Sequence, residues 1–191
     1  MLNVEGLGIK DITLVFTDLK GSTALYDRIG DLDAFSLVQQ HFDRLHDVAV
    51  RNDGAIVKTI GDAVMAAFRE PKHAVRAALD MRKEIAAVNR GSEDRELILK
   101  IGVHKGAAIA VTLNDRLDYF GQTVNIAARV QNLADADEIF LSKDVYETEA
   151  VKEMLTPFRV DPQNARLRGV HEEVPVFRVQ TEAPAETMPA A

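Results

Sequence analysis

Apolar positions along the chain follow two patterns: short unbroken runs, and stripes in which every third or fourth residue is apolar. The run Ile12–Phe16 predicts a buried central strand, because a strand covered on both faces has no exposed side for polar residues. One stripe predicts an amphipathic helix, and its members are Phe35, Val38, Phe42, Leu45 and Val48. Asn52-Asp53-Gly54 should end this helix, because these residue types tolerate a left-handed turn.

Three pairs of apolar runs, each joined by a short turn sequence that contains glycine, predict three β-hairpins. The turns are Gly61-Asp62, Lys105-Gly106 and Arg168-Gly169-Val170-His171. The strand pairs are Ala55–Ile60 with Ala63–Phe68, Leu97–His104 with Ala107–Leu113, and Phe158–Leu167 with Val174–Val179. A short strand is also expected at Ile139–Ser142.

Further helices are predicted between these strands. Pro71 should begin one, because proline is favoured in a first helical turn, and its inner face carries Val75, Ala78, Leu79, Ile85 and Val88. The others are Ser22–Ile29, Thr123–Leu133 and Lys143–Glu149. The charged stretch Arg90–Glu96 is expected to be a loop.

The order of elements is strand, two helices, hairpin, helix, hairpin, helix, strand, hairpin. This order predicts an α+β fold with a ferredoxin-like, antiparallel-rich sheet covered by helices. Residues 10–180 form the predicted domain, and residues 1–9 are expected to be a lead-in. Residues 181–191 are mostly Ala, Pro, Glu and Thr, so we expect a disordered tail.

Composition narrows the class of protein. With 191 residues, 47% of them apolar and 28% charged, the chain can build one ordinary globular core. The absence of cysteine excludes disulfides and thiolate metal sites. A net charge of −7 argues against nucleic acid as the main partner, although a nucleotide can still bind through a cation. No run approaches about 20 apolar residues and no signal peptide is visible, so we expect a cytoplasmic chain without a membrane segment.

Two acidic residues follow apolar strands. Asp18 comes after the run ending in Phe16, and Asp62 lies in a hairpin turn that can reach it. Two carboxylates held close together repel each other, and a divalent cation between them removes that cost. Either residue alone is better explained as a helix cap or a turn residue. As a pair they predict a metal site.

Polar residues near these acids suit a phosphate group. Gly21-Ser22-Thr23 lead into a helix whose first N–H groups can bind phosphate, although ordinary capping by Ser22 or Thr23 explains them equally well. Asn125 and Arg129 are four residues apart and share a helix face, where arginine can stabilise developing phosphate charge. A solvated helix face is the alternative. Lys58 interrupts an apolar strand, and Asp118 could accept a hydrogen bond from an amine.

Together these segments resemble the catalytic domain of the class III adenylyl and guanylyl cyclases, over roughly residues 10–180. The motifs are Phe16-Thr17-Asp18-Leu19-Lys20-Gly21-Ser22-Thr23, Lys58-Thr59-Ile60-Gly61-Asp62, Ile101-Gly102-Val103-His104 with Gly106, and Gly121 to Arg129. Several ordered motifs at family-like spacing are much more specific than an isolated Gly-Asp.

The resemblance implies a class III nucleotidyl cyclase fold that acts as a homodimer with sites at the interface. Asp18 and Asp62 would bind two Mg²⁺ or Mn²⁺ ions, with the Leu19 carbonyl as a further ligand. Asn125 would orient the ribose and Arg129 would stabilise the pentavalent phosphorus. Arg168 resembles the position of a basic residue that reaches the terminal phosphates.

The purine would be read by Lys58 and Asp118 of the other protomer. Lysine would donate to ring N1 of adenine, and aspartate would accept from the 6-amino group. Guanine presents the reverse pattern, which is costly in a buried pocket, so the resemblance favours ATP over GTP. The implied reaction converts ATP to 3′,5′-cyclic AMP and pyrophosphate by two-metal catalysis.

Three departures from the family pattern keep an alternative open. Lys20 lies in the metal loop, Lys105 stands where a small hydroxyl residue is common, and Ala107–Asp118 lacks a glycine near Val111. The alternative is a weak or inactive cyclase-like module that binds nucleotide or a partner. An active cyclase would be either free-standing or, as we expect, the output module of a longer protein with a sensor or regulatory domain, and in the second case we expect weak activity from this chain alone. A diguanylate cyclase is disfavoured, since the chain has no Gly-Gly-acid-Glu-Phe hairpin motif.

Overall fold

The computed structural model describes residues 4–89, 97–169 and 173–180. The strands there are β1 (Val4–Lys20), β2 (Gly54–Ile60), β3 (Ala63–Phe68), β4 (Ile98–Leu113), β5 (Arg116–Phe120), β6 (Ile139–Ser142), β7 (Arg159–Arg166) and β8 (Glu173–Gln180). The helices are α1 (Ser22–Ile29), α2 (Asp31–Arg51), α3 (Pro71–Asn89), α4 (Gln122–Gln131), α5 (Lys143–Tyr146) and α6 (Glu149–Met154).

All eight of these strands join one sheet in the order β2-β3-β1-β4-β6-β8-β7, with β5 paired to β4. The pairings are antiparallel except for β4 with β6, which is parallel. The α+β class and the antiparallel-rich sheet covered by helices are therefore confirmed. Pro162 and Pro175 fit this topology: β7 is an edge strand, and Pro175 lies beyond the residues of β8 that pair with β6.

The strand β1 is buried on both faces, which explains its unbroken apolar run. Val15 contributes to a core with helices α1, α2 and α3 on one face of the sheet. Its neighbours Leu14 and Phe16 contribute to a second core on the opposite face, which includes Ala127 of α4. Because successive strand side chains point to opposite faces, one continuous run supplies both cores.

The hairpin predicted around Lys105-Gly106 is wrong, because β4 continues without a break from Ile98 to Leu113. Gly106 instead allows a close approach of α4: a Cβ atom there would lie 2.8 Å from Oγ1 of Thr123. That hydroxyl donates a hydrogen bond to the carbonyl of Ala107, which fixes α4 on the strand. The turn comes later, at Asn114 and Asp115, which adopt positive φ angles of 48° and 62°.

Other differences are smaller. β1 begins at Val4, within the expected lead-in, and two helices, α5 and α6, occupy the region where one was predicted. The predicted stripe of α2 is buried at Val38, Leu45 and Val48, whereas Phe35 is 59% exposed and His41 is buried in addition. The predicted loop Arg90–Glu96, the turn residues 170–171 and the tail 181–191 lie outside the described residues.

A three-stranded extension, here called the β-arm, consists of residues 4–11 of β1, residues 107–113 of β4 and all of β5. Ile9, Ile109 and Phe120 are aligned across its strands and are 76%, 43% and 41% exposed. No helix in the described ranges combines the length and apolar content needed to span a membrane.

Gly102 of β4 is where α4 packs most tightly on the sheet, since a Cβ atom there would lie 2.2 Å from the backbone nitrogen of Gln131. We expect Gly102→Ala to lower the melting temperature by about 6–12 °C, because backbone on both sides resists the added methyl group. Gly8→Ala is the control, since no atom lies within 4 Å of its Cβ position. Equal melting temperatures for both variants would contradict this account of the packing.

Candidate active site

The two acidic residues come to the same edge of the sheet. Asp18 is near the end of β1, and Asp62 is in the turn between β2 and β3. The register pairs Thr17 with Val64, so the strands bring both acids close together. Burial, and next the charge of the Asp62 carboxylate, raise the pKa of Asp18 above its ordinary value. The two acids are thus electrostatically coupled, as the sequence predicted.

The arrangement suits a divalent cation. Oδ2 of Asp62 is buried and has no hydrogen-bond partner among the described residues. A cation would satisfy this oxygen and remove the repulsion that raises the pKa of Asp18. Nowhere in ranges 4–89, 97–169 and 173–180 do three or more His, Cys, Asp or Glu residues gather as a metal cage. Mg²⁺ does not require one, since it commonly uses one or two carboxylates plus water and substrate phosphates.

The loop that follows Asp18 opens α1. Gly21 is the N-cap residue, with φ of 74°, and makes no side-chain cap hydrogen bond. Lys20, Gly21, Ser22 and Arg28 contribute to the lining of a pocket of about 240 Å³. Ordinary side-chain capping of α1 is therefore not what this glycine-serine sequence provides, and Gly21 and Ser22 line a pocket together with two basic residues, Lys20 and Arg28.

The two lysines that depart from the family pattern both have acidic partners. Lys20 forms an ion pair with Asp135 in the segment between α4 and β6. Lys105 pairs with Asp11 across β1 and β4, at 3.2 Å between Nζ and Oδ2. Both pairs are partly exposed, so water screens them and they add little to stability.

A hydrogen-bond donor on strand β2 contacts an acceptor on strand β5. Nζ of Lys58 donates to Oδ2 of Asp118 at 2.8 Å, although 60 residues separate them in sequence. The side chains are 35% and 19% exposed. The same ammonium lies 5.3 Å from the ring centroid of Phe120, and Oδ1 of Asp118 accepts from the backbone N–H of Tyr119 at 2.8 Å. The carboxylate is thereby held in a fixed orientation beside the lysine.

Helix α4 carries the remaining candidates. Asn125 is exposed on this helix and Arg129 is half-buried one turn later. The Arg129 guanidinium lies against the turn after β7: a Cβ atom at Gly169 would be 3.4 Å from its Nη2. Arg168, which is exposed, precedes that glycine. The structure thus brings Arg129 and Arg168 to one region.

The observed contacts link Asp18 with Asp62, Lys58 with Asp118, and Arg129 with the Arg168-Gly169 turn, and we name the candidates below as two groups. The acidic group comprises Asp18, Leu19, Asp62 and the loop Gly21-Ser22-Thr23. The polar group comprises Lys58, Asp118, Asn125, Arg129 and Arg168. Sequence reasoning missed two residues near the acidic group: Lys100, which pairs with Asp18 in the sheet register, and His41, whose pKa responds to Asp62. Each is a polar residue inside an apolar pattern, which is the signal that could have identified it.

The family model described as the adenylate and guanylate cyclase catalytic domain matches residues 5–177. The chain belongs to this cyclase family. The recognition made from the four sequence motifs is therefore confirmed.

Relatives of this cyclase domain include both substrate classes. Adenylate cyclase 1 of Rhizobium meliloti (strain 1021) is 29% identical over 138 residues, covering 65% of this chain and 21% of the relative. The chain thus spans about a fifth of that protein's length. The adenylyl cyclase CyaB from P. aeruginosa superposes with a TM-score of 0.81 at 21% identity, covering 93% of this chain and 97% of that one. The guanylyl cyclase Cya2 gives 0.81 at 20%, covering 92% and 94%. At this identity the structural likeness shows the fold and leaves the nucleobase open.

Proposed function

We propose that this cyclase domain is an adenylyl cyclase that converts ATP to 3′,5′-cyclic AMP and pyrophosphate at the interface of a homodimer. The hydrogen bond between Lys58 and Asp118 carries the proposal. It sets a cationic donor beside a fixed carboxylate acceptor. Adenine offers the complementary pair, an acceptor at N1 and a donor at the 6-amino group, whereas guanine offers the reverse.

Two groups of residues support the proposed dimer. The acidic group lies at the β2–β3 turn, and the polar group includes residues of β5 and α4. In a twofold dimer each surface meets a copy of the other, so two composite sites form. The exposed apolar row of the β-arm, Ile9, Ile109 and Phe120, supplies surface that such an interface would cover.

In each composite site the residues would have separate roles. Asp18, Asp62 and the Leu19 carbonyl would hold Mg²⁺ or Mn²⁺, which lowers the pKa of the attacking hydroxyl and neutralises phosphate charge. Lys58 and Asp118 of the other protomer would bind adenine. The first N–H groups of α1, at Gly21-Ser22-Thr23, would donate hydrogen bonds to phosphate oxygens.

The remaining polar residues would act on the sugar and phosphates. Asn125 would orient the ribose, whose 3′-oxygen loses its proton and attacks the α-phosphorus. The new O3′–P bond forms as the bond from phosphorus to the pyrophosphate oxygen breaks. Arg129 would stabilise the charge that develops on the phosphate oxygens, and Arg168 would contact the departing pyrophosphate.

The test is product formation by the purified chain. With Mn²⁺ at high protein concentration, we expect cyclic AMP from ATP and no comparable cyclic GMP from GTP, measured by chromatography of the products. Cyclic GMP as the main product would overturn the purine assignment. No product from either nucleotide, in a sample shown to be dimeric, would instead favour a non-catalytic binding module.

A mixing experiment tests the composite site. Asp62→Asn and Lys58→Glu should each be nearly inactive alone, because each removes one half of both sites. Mixed in equal amounts, half of the dimers carry both variants and one intact site. Activity should therefore return to about a quarter of the wild-type rate. If Asp62 and Lys58 served the same site within one protomer, mixing would restore nothing.

A further inference from the structure

An ion pair joins the loop after Asp18 to the segment that follows α4. Nζ of Lys20 contacts Oδ1 of Asp135, although 115 residues separate the two in sequence. Lys20 is the last residue of β1, and Asp135 lies between the end of α4 at Gln131 and the start of β6 at Ile139. The reaction proposed above leaves this pair without a role.

Each end of the pair is held in place by other contacts. The backbone of β1 is paired with β4 as far as Lys20 and Ile98. On the other side, the backbone N–H of Asp135 donates to Oε2 of Glu138 at 2.8 Å, and the backbone N–H of Glu138 donates to the Asp135 carbonyl at 3.2 Å. Oε1 of Glu138 in turn accepts from Nη1 of Arg178 on β8 at 3.0 Å. The paired side chains are 48% and 70% exposed, so the ion pair contributes little to stability and can exchange partners at little cost.

Lys20 lies beside the residues proposed to bind phosphate. Alternate residues of a strand face the same side of the sheet, so Lys20 shares a face with Asp18. It also lines the pocket of about 240 Å³ next to Gly21 and Ser22, whose N–H groups are proposed to donate to phosphate oxygens. Arg28 adds a second cation to this lining, which has no acidic member among the residues that the structure describes. The pocket therefore suits an anionic group.

We propose that Lys20 binds the terminal phosphates of the nucleotide, and that Asp135 is an internal competitor that holds the lysine before substrate arrives. This inference rests on the proposed function, since it needs a polyphosphate at the loop that opens α1. A carboxylate carries one negative charge, whereas a terminal phosphate carries up to about two at neutral pH. Lysine is a compact charge on a flexible stem, so it can turn from one anion to the other without movement of the backbone. Substrate therefore displaces Asp135.

The test is the binding of pyrophosphate to the purified chain in the presence of Mg²⁺, measured by isothermal titration calorimetry. Pyrophosphate has no base, so the result does not depend on how the purine is read. We expect Lys20→Met to weaken binding about tenfold, because it removes one charge-assisted contact. Lys20→Arg keeps the cation and should bind within about threefold of the wild type. Asp135→Asn should strengthen binding about threefold, because the lysine no longer has a competing partner.

A double variant separates competition from simple repulsion. If Asp135 acts only through Lys20, adding Asp135→Asn to Lys20→Met changes pyrophosphate affinity no further. If Asp135 simply repels phosphate, the added change strengthens binding in that background too, and the inference is overturned. A purely structural tether predicts that both single variants weaken binding, which also overturns it, as does unchanged affinity in either single variant.

Lys143 and Glu147 provide matched controls, because they form an ion pair of similar exposure at helix α5, with side chains 51% and 52% exposed. Lys143→Met and Glu147→Gln change the net charge in the same way as the test variants and should bind pyrophosphate like the wild type. A wild-type chain that binds no pyrophosphate would overturn the phosphate site of the proposed function together with this inference. If the wild type binds it and the Lys20 variants bind equally well, only the inference fails.

Discussion

Asp62→Asn is expected to lower the rate of ATP cyclisation at least about 1,000-fold while the protein remains folded. The change removes one of two carboxylates proposed to hold the metal, and metal ions in such sites stabilise the transition state by several kcal/mol. The amide has nearly the shape of the carboxylate, so packing around the turn is retained. The measurement is kcat with Mn²⁺, alongside circular dichroism and the melting temperature.

The thermal stability of the same variant gives a second readout. A raised pKa in the folded protein means that ionisation of Asp18 opposes folding, so stability is lost as pH rises through that pKa. Removing the Asp62 charge lowers the pKa of Asp18 and reduces this loss. The metal-free variant should therefore melt at or above the wild-type temperature at pH 7. Asp53→Asn, at the exposed opposite end of β2, is the control. Near-normal turnover by a folded Asp62→Asn variant would exclude a role of Asp62 in metal binding.

Lys58→Glu is expected to reduce the use of ATP about 100-fold or more and to shift the ratio of ATP to GTP turnover towards GTP. Glutamate presents an acceptor to N1 of adenine, which is also an acceptor, and leaves both unpaired. N1–H of guanine, by contrast, is a donor. The measurement is kcat/KM for both nucleotides.

Lys58→Met separates the loss of a donor from the gain of an acceptor. It keeps an unbranched apolar stem near Phe120, so it should lose ATP turnover without gaining any preference for GTP. A Lys58→Glu variant that cyclises ATP as well as wild type would show that this residue does not read the purine. Asp118 loses its cationic partner in both variants, and only Lys58→Glu also places a second carboxylate beside it.

Much of the fold could be predicted because local and global signals agree. Helix α1 and strand β6 have the predicted bounds, and the Gly61-Asp62 hairpin is present. The error in β4 has a physical cause: glycine marks either a turn or a close approach, and periodicity alone cannot separate them. Gly106 is the second case, since Thr123 occupies the space that a side chain would need.

The candidate site likewise contains residues that the sequence identified and residues that it did not. Residues recognised through spacing, such as Asp18 and Asp62, come together because the strands that carry them are neighbours. His41 escaped notice because the predicted stripe was built from apolar residues only and took Phe35 as one of its members. Phe35 is exposed, and the positions that point inwards run from Val38 through His41 to Leu45. A one-dimensional stripe ranks residues by hydrophobicity, and only the packed sheet shows which side of the helix is covered.

The length of β1 has a mechanical consequence. Ile9 of the β-arm and Asp18 belong to one strand, separated by about 30 Å of continuous backbone. Over this distance β1 stays paired with β4, and the register shifts only outside it, between Glu5 and Gly8. The paired strands act as a stiff lever without a hinge. In the proposed dimer, a tilt imposed on the β-arm by the neighbouring subunit would reach the carboxylate as a displacement, so assembly and catalysis would be coupled through a single strand.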